Sequence, residues 1–233
     1  MSPLWATPLP GVLLTLLLYL GARWLQRRSG NHVFLNPTAL TIAGLAVYLV
    51  VAEVPYPTYF ESAKILHLLL GPAPVALAVP LAQSLPMLGR LAFPLTAGLL
   101  AGNIAALTSA VLLGRILGAE REVVLSLAPK SVTTPIAMEI AAEIGGLPSL
   151  TAVLVILTGV LGAVLGPWTL DRLGIRDPAV RGTAMGVSAH GLGTAAIYTE
   201  SAAAGASGGL AMGLSGLITA VIAPFLIRLL GFG

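Results

Sequence analysis

The sequence predicts an all-α, polytopic membrane protein, and three features carry this prediction: the composition, the charge-free stretches and the interrupted helices. Of the 233 residues, 57% are hydrophobic and only 9% are charged, whereas an ordinary soluble domain is roughly 25% charged. So few charges could not cover the surface of a soluble fold of this length. We therefore expect residues 1–233 to form a single integral membrane domain with no soluble appendage.

Long stretches without Asp, Glu, Lys or Arg supply the spans, because a spanning helix needs about 20 mostly apolar residues. The stretches that reach this length are Ser2–Ala22, Ser29–Ala52, Ile65–Gly89, Leu91–Gly114, Ile144–Leu170 and Ser201–Ile227. Ile65–Gly89 fits either one span or a re-entrant pair, and Glu53–Glu61 fits an interfacial loop. With the interrupted helices included, we expect about seven or eight hydrophobic segments.

Several function classes are excluded by residues that the chain lacks. There are no cysteines, so disulfides, thiolate metal sites and thiol catalysis are excluded. The net charge of +3 comes from arginines beside the hydrophobic stretches, which is typical of anchors and orientation signals. The chain has no basic face interleaved with aromatic residues, the pattern that would indicate nucleic-acid binding. The three histidines lack metal-ligand spacing, and no nucleophile elbow or phosphate loop occurs. We expect no enzyme activity, catalytic residue, metal or cofactor.

The most informative segment is the run from Pro129 to Pro135, Pro-Lys-Ser-Val-Thr-Thr-Pro. Proline disfavours helix at the residue before it and is favoured at the first helical position. We therefore predict a broken helix, with Thr134 as the N-cap and Pro135 as the first residue of a half-helix. At membrane depth such a break is tolerated only inside protein or beside a water-filled cavity. The new helix N-terminus favours an anion.

Lys130 adds a full positive charge to this break, and an ionisable residue at membrane depth is a functional-site hypothesis. Ser131, Thr133 and Thr134 add hydroxyl groups. Together these side chains predict a binding pocket for a small carboxylate. In the alternative interpretation, Lys130 snorkels to an interface and the hydroxyls only cap helices.

Pro72 and Pro74 predict a second break by the same logic. The residue between them is forced out of helix, and Pro74 begins a half-helix. This segment offers backbone N–H groups but no side-chain charge. It either faces the same cavity or forms a proline kink in an ordinary span.

A third break is predicted where His190 is followed by Gly191, Gly193 and Thr194. The two glycines let the backbone bend or another helix approach closely. His190 titrates near neutral pH when unperturbed, and Thr194 is placed to bind a substrate hydroxyl. The alternative is a packing motif with a hydrogen-bonded histidine.

Two acidic residues are candidates for proton coupling. Glu139 lies within the half-helix that begins at Pro135, and Glu200 lies one to two turns after Thr194. The alternative for each is a solvated charge at a helix end.

Internal repeats are predicted over residues 63–118, 120–174 and 176–231. Ala163–Trp168 matches Ala220–Phe225 at an offset of 57 residues. Each unit contains a broken segment followed by one long helix, a plan common in secondary transporters. If each broken segment re-enters on its own side, neighbouring units are inverted; if it crosses fully, they are parallel. By analogy we expect an elevator or rocking motion.

The same residues resemble the LrgB/CidB family over essentially the whole chain. The block that begins Pro129-Lys130-Ser131-Val132-Thr133-Thr134-Pro135 is the most specific part of this resemblance. Further matching blocks are Ile144–Ala152, Leu161–Gly166, Arg181–Gly186, His190–Ala195 and Leu70–Leu81.

The resemblance implies a function that the residues alone do not. Bacterial members of the family are antiholin-like proteins, often encoded beside a holin-like membrane protein of the LrgA/CidA type, and a plastid relative transports glycolate and glycerate. We expect a secondary transporter of small monocarboxylates such as glycolate, glycerate, pyruvate or lactate. The alternatives are an antiholin-like regulatory subunit that controls murein hydrolase export and lysis with an LrgA/CidA partner, and a passive channel. We expect a homo- or hetero-oligomer, multi-pass in the bilayer of the bacterial inner (plasma) membrane, with no nucleic-acid partner.

Overall fold

The computed structural model describes Trp5, Leu35 and residues 7–30, 37–69 and 85–232, apart from the side chains of residues 85–92. Within these ranges the chain is helical and contains no β-strand. Four helices in the described part are long and apolar enough to cross a bilayer, namely Leu9–Arg28, Phe93–Ile116, Pro148–Arg172 and Ala202–Phe232. The prediction of an all-α membrane protein is confirmed.

The described ranges contain nine α-helices. They are α1 (Leu9–Arg28), α2 (Pro37–Val51), α3 (Tyr56–Leu68), α4 (Leu85–Ile116), α5 (Arg121–Leu127), α6 (Thr134–Ile144), α7 (Pro148–Arg172), α8 (Pro178–Tyr198) and α9 (Ala202–Ile227). Their contacts group into two compact units, Met1–Val75 and Ala76–Gly233. This division is finer than the single domain that the sequence predicts.

In the first unit, α1 packs on both α2 and α3. A small polar network joins α1 to α3: the Gly11 nitrogen donates to Ser62 Oγ over 2.9 Å, and the Thr15 and Tyr59 hydroxyl oxygens are 2.8 Å apart. A Cβ added at Gly11 would lie 2.7 Å from the Ala63 nitrogen. The helices approach this closely because residue 11 has no side chain.

The sequence prediction was wrong at the loop between α2 and α3. It placed an interfacial loop over Glu53–Glu61, but α3 already begins at Tyr56. Pro55 is extended, with a ψ of 137°, and caps a helix that holds another proline in its first turn. Prolines at the start of a helix are favoured rather than disruptive.

The second unit is framed by α4, α7 and α9. A buried polar cluster ties α4 to α9, because Asn103 Oδ1 accepts hydrogen bonds from Ser215 Oγ (2.5 Å) and Thr219 Oγ1 (2.9 Å). Such side chains hold helices together in a bilayer. An apolar core joins these helices to α5 and α6; its buried members are Leu107, Val111, Val124, Leu125, Ala128, Val132, Ala137, Ile140, Val155, Ala223 and Ile227.

Hairpin 1 consists of α5, α6 and the tip between them, residues 128–133. The end of α6 returns to α5, since the Leu147 nitrogen donates to Ser126 Oγ over 2.7 Å, and a Cβ added at Gly146 would lie 2.8 Å from the Ser126 nitrogen. Thr151 Oγ1 also donates to the Ser126 carbonyl, over 3.0 Å. The base of hairpin 1 therefore lies at the start of α7, where α5 also ends, and residues 128–133 connect this base to the start of α6.

Hairpin 2 is α8 itself, which is not one straight helix. The backbone leaves helical geometry at Ala189 (φ −136°) and His190 (φ 41°). Residues 178–188 form the first arm and residues 191–198 form the second arm. The sequence predicts an interruption at this place, and the structure adds that the chain reverses there.

Contacts along α9 establish this reversal. Gly182, near the start of the first arm, lies directly against Ala204. Tyr198, at the end of the second arm, lies directly against Gly205. Because both ends of α8 meet the same turn of α9, the two arms run in opposite directions.

The base of hairpin 2 lies at the other end of α7. Arg181 Nη1 is 2.7 Å from Asp171 Oδ1 in the last turns of α7, and Arg181 Nη2 is 2.8 Å from Glu200 Oε2 just beyond the second arm. Hairpin 1 and hairpin 2 thus start from opposite ends of α7.

The seat of hairpin 2 on α9 gives a stability prediction. A Cβ at Gly182 would overlap the Ala204 carbonyl and Ser207 Oγ, whereas a Cβ at Gly209 would meet nothing within 4 Å. Overpacking against backbone cannot be relieved by a rotamer change. We expect Gly182→Ala to lower the free energy of unfolding by about 2 kcal/mol. Gly209 lies inside α9, and Gly209→Ala should leave this free energy unchanged or raise it by up to about 1 kcal/mol. Denaturation followed by circular dichroism in detergent measures both, and equal effects would contradict the packing described.

The predicted repeats remain a prediction. Residues 120–174 and 176–231 each contain a hairpin followed by a long helix. The unit predicted over 63–118 includes residues 70–84, which lie outside the described residues.

Candidate binding site at the hairpin tips

The tip of hairpin 1 ends at an extended residue. Thr133 has φ −61° and ψ 143°, and α6 starts at Thr134 with Pro135 in its first turn. The predicted N-cap, Thr134, is therefore wrong by one residue. Proline fits at the second helical position because the N–H groups of the whole first turn lack an intrahelical acceptor. Pro129, which begins the predicted break, is buried.

Two polar groups at this tip have unmet bonding capacity. Thr133 Oγ1 is buried without a hydrogen-bond partner, although an N-cap hydroxyl usually accepts from the helix N–H groups. Lys130 Nζ bonds Ser131 Oγ at the long distance of 3.5 Å. Within the described part of the chain, no carboxylate forms an ion pair with Lys130. Lys130 is partly buried and Ser131 is buried. Within the described residues, the tip thus holds a cation that has no acidic partner and lies next to the Ser131 hydroxyl.

The tip of hairpin 2 is built around His190. Its side chain is buried, and Nε2 lies 2.9 Å from the Val155 carbonyl of α7. A carbonyl oxygen only accepts, so Nε2 carries the hydrogen and donates it. A Cβ at Gly159 would lie 2.6 Å from the same ring. The imidazole therefore packs against α7, and its Nε2 hydrogen is used in the bond to the Val155 carbonyl.

The other predicted residues of this tip have local bonding or packing roles. Thr194 Oγ1 donates to the His190 carbonyl over 2.8 Å, one turn earlier in the chain. A Cβ at Gly193 would lie 2.8 Å from the Met185 carbonyl of the opposite arm. A Cβ at Gly191 would lie 3.7 Å from Met212 Sδ on α9. Thr194 is partly buried and its oxygen retains acceptor capacity.

The two tips approach each other along one face of α9. A Cβ added at Gly208 would lie 3.3 Å from Thr194 Oγ1. A Cβ added at Gly216 would lie 2.7 Å from Ile136 Cδ1, at the start of α6. Met212, which touches the tip of hairpin 2, lies between Gly208 and Gly216 on the same face. Each step of four residues is about 6 Å along a helix. The tips are therefore within one to two helical turns of each other.

Val155 on α7 leads to the same conclusion. Its carbonyl accepts from His190 in the tip of hairpin 2. Its side chain belongs to the apolar core that contains Val132 in the tip of hairpin 1. The structure thus brings the predicted residues Lys130–Thr134 and His190–Thr194 to one level of the molecule.

The two candidate proton carriers lie in different settings. Glu139 is exposed on the outer face of α6, about five residues from the tip. Glu200 pairs with Arg181 at the base of hairpin 2, away from both tips. Pro72 and Pro74 lie outside the described residues.

The sequence analysis missed the partners of Glu200. Arg181 is buried, and it also donates to Asp171 over 2.7 Å and to the Ile175 carbonyl over 2.9 Å. A signal was present: the uncharged segment between Arg181 and Glu200 has a break near its centre and charges of opposite sign at its two ends. That pattern fits a hairpin whose ends meet.

The LrgB-like family matches the chain over residues 15–229. The chain belongs to the LrgB-like family. The chain is similar to the uncharacterized protein YwbG of Bacillus subtilis (strain 168), to which it is 38% identical over 92% of this chain and 95% of the relative. No solved structure matches this LrgB-like protein.

Two further relatives carry names that describe a holin-like or antiholin-like protein. Holin-like protein CidB of Staphylococcus epidermidis is 28% identical over 94% of this chain and 95% of its own length. Antiholin-like protein LrgB of Bacillus mycoides is 26% identical over 97% of this chain and 98% of its own length. Neither name specifies an enzyme activity, and the absence of one in this LrgB-like protein stays a prediction.

Proposed function

We propose that this LrgB-like protein is a secondary transporter of small organic monocarboxylates of the glycolate, glycerate, pyruvate and lactate class. One observation carries the proposal: among the described residues Lys130 has no acidic partner, and three residues later, at the N-terminus of α6, the buried Thr133 hydroxyl has no hydrogen-bond partner. A carboxylate would satisfy all three groups. It would neutralise Lys130, accept from Thr133 and lie at the positive end of a helix dipole.

The depth of the tips supports a site in the middle of the bilayer. α6 has 11 residues, which span about 16 Å, and the first arm of hairpin 2, residues 178–188, is as long. The hydrocarbon core is about 30 Å thick. Hairpins that enter from opposite faces would therefore meet near its centre, where α7 and α9 cross it. In this arrangement the protein is multi-pass, and units 120–174 and 176–231 are inverted repeats.

The remaining contacts follow from this placement. Ser131 and the free lone pairs of Thr194 would bind the hydroxyl or keto group of the substrate. His190 donates from Nε2 to the Val155 carbonyl, so we assign it no substrate contact. Glu139 is the better placed carrier for proton coupling, because Glu200 is held in an ion pair. Alternating access would arise from an elevator or rocking movement of one repeat against the other.

Uptake into proteoliposomes tests the proposal. We expect labelled glycolate, glycerate, pyruvate or lactate to accumulate in vesicles that contain the protein, and a proton gradient to change the rate. Empty vesicles and an uncharged analogue such as glycerol are the controls. The absence of uptake of all four acids, with and without the gradient, would refute transport of this class.

A second candidate is a regulatory subunit of the antiholin type, and the relatives favour it more directly than they favour transport. Holin-like CidB and antiholin-like LrgB match over nearly their full lengths. In this function the protein would assemble with a holin-like LrgA/CidA partner in the bacterial inner membrane and control murein hydrolase export and lysis. It would need no cation at the tip of hairpin 1. This function therefore predicts that the protein takes up none of the four acids and that replacing Lys130 leaves lysis unchanged.

A further inference from the structure

The tip of hairpin 2 is fastened to α7 by His190. Its imidazole is buried and donates from Nε2 to the Val155 carbonyl over 2.9 Å. That carbonyl lies within α7, so the bond joins the tip of the hairpin to the wall of a long helix. Breaking this bond would leave the tip with apolar contacts to α7.

The backbone of His190 is strained while the bond holds. Its φ of 41° and ψ of −134° fall in a region that glycine readily adopts and that is sterically disfavoured for a residue with a Cβ. Such a conformation persists only when surrounding contacts enforce it, and it is typical of switch regions. The strain therefore favours release of the tip, and the bond to Val155 opposes release.

α7 is shaped to accept this tip. A Cβ at Gly159 would lie 2.6 Å from both Cε1 and Nε2 of His190, and 2.8 Å from Leu192 Cδ1. A Cβ at Gly162 would overlap Ala189. The tip fits its seat because α7 lacks side chains at these two positions.

The base of hairpin 2 is held by charged contacts, whereas His190 gives the tip a neutral hydrogen bond. Arg181 donates to Asp171 on α7, to Glu200 beyond the second arm and to the Ile175 carbonyl between α7 and α8. These contacts join both ends of the hairpin to the end of α7. If the bond at His190 is lost, the tip keeps only packing contacts with α7 and α9, so we expect the tip to separate from α7 before the base does.

We propose that hairpin 2 is a gate, with its base fixed by Arg181 and its tip latched by His190 on the Val155 carbonyl. His190 is then a positioning residue and not a substrate ligand. Release of the latch opens a path from the Asp171 end of α7 to the tip of hairpin 1. The importance of that path rests on the proposed transport function, whereas the latch itself is a property of the protein without substrate.

A reporter cysteine measures the latch directly. Because the chain has no native cysteine, Leu192→Cys gives a single thiol beside the seat. Its reaction rate with a small methanethiosulfonate reagent is followed in nanodiscs, where the reagent reaches both faces. We compare three backgrounds: His190→Ala, which removes the ring and keeps the Cβ and thus the backbone strain; Gly159→Ala, which displaces the ring; and Gly209→Ala, whose added Cβ meets nothing within 4 Å.

We expect His190→Ala and Gly159→Ala to raise the labelling rate about tenfold, the factor that one lost hydrogen bond carries, and Gly209→Ala to leave it unchanged. If Gly159→Ala does not fold, His190→Ala decides the result alone, since it introduces no clash. Unchanged rates in His190→Ala would overturn the gate, as would an equal rise in Gly209→Ala. No substrate is present, so a protein that fails every uptake assay can still show the latch, and a transporter can still lack it.

Discussion

Lys130→Ala is expected to lower monocarboxylate uptake by about 10- to 100-fold, the range that one charge-assisted hydrogen bond supplies. Lys130 has no acidic partner among the described residues, so its loss leaves no carboxylate unpaired within that part of the protein. The variant should therefore fold normally. Initial uptake rates in proteoliposomes at several substrate concentrations provide the measurement.

The chain offers a matched control for this experiment. It contains one other lysine, Lys64, which pairs with Glu61 on an exposed face of α3. Lys64→Ala removes the same charge and should leave uptake unchanged. Lys130→Arg keeps a cation and should retain part of the uptake, with a higher KM, because a planar guanidinium replaces a compact ammonium. Equal uptake by wild type and Lys130→Ala would remove Lys130 from the site.

The break at hairpin 1 could be predicted from the sequence because proline acts locally. Pro129 and Pro135 restrict their own backbone and that of the preceding residue whatever surrounds them. The prediction missed the N-cap by one residue, since the choice between Thr133 and Thr134 depends on how α6 packs. The unpartnered Thr133 hydroxyl could not be predicted, because it reflects which groups the tertiary fold leaves nearby.

The reversal of α8 could not be read from local propensity. Glycines at 191 and 193 permit a bend, but they do not say whether the chain continues or turns back. That outcome depends on contacts distant in sequence, such as Tyr198 against Gly205 and Arg181 with Asp171. For the same reason the sequence left the relative orientation of the repeats open.

The role of His190 also could not be predicted from local sequence. A histidine beside two glycines is compatible with a substrate ligand and with a packing motif. The structure commits Nε2 to a carbonyl on α7 and places the ring over Gly159. Neither Val155 nor Gly159 carries a sequence signal for this contact, since one contributes a backbone atom and the other the absence of a side chain.

The second large effect is expected at the base of hairpin 2, and its direction depends on which partner is removed. The Arg181 side chain is 10% exposed, whereas those of Asp171 and Glu200 are 69% and 36% exposed. Asp171→Asn combined with Glu200→Gln leaves a buried, charged guanidinium without an anion. We expect this double variant to lose about 2–3 kcal/mol of unfolding free energy, less than a fully buried pair because solvent screens the carboxylates.

Arg181→Met should cost less, about 1 kcal/mol, because the two acids can then turn to water and the methionine fills part of the space. Denaturation midpoints in detergent provide both values. Glu143→Gln, at an exposed position of α6, is the control for loss of one negative charge. The reverse order, with Arg181→Met more damaging than the double variant, would show that the acids and not the arginine dominate this cluster.

The two single acid variants separate a structural clamp from a proton carrier. If Glu200 serves only to hold Arg181, Asp171→Asn and Glu200→Gln should alter uptake in the same way, since each removes one anchor of the same guanidinium. If Glu200 carries the coupled proton, Glu200→Gln alone should abolish the response of uptake to a proton gradient. The pairing seen here favours the first result, because the Glu200 carboxylate is already bonded to the Arg181 guanidinium at the base of hairpin 2, away from both tips.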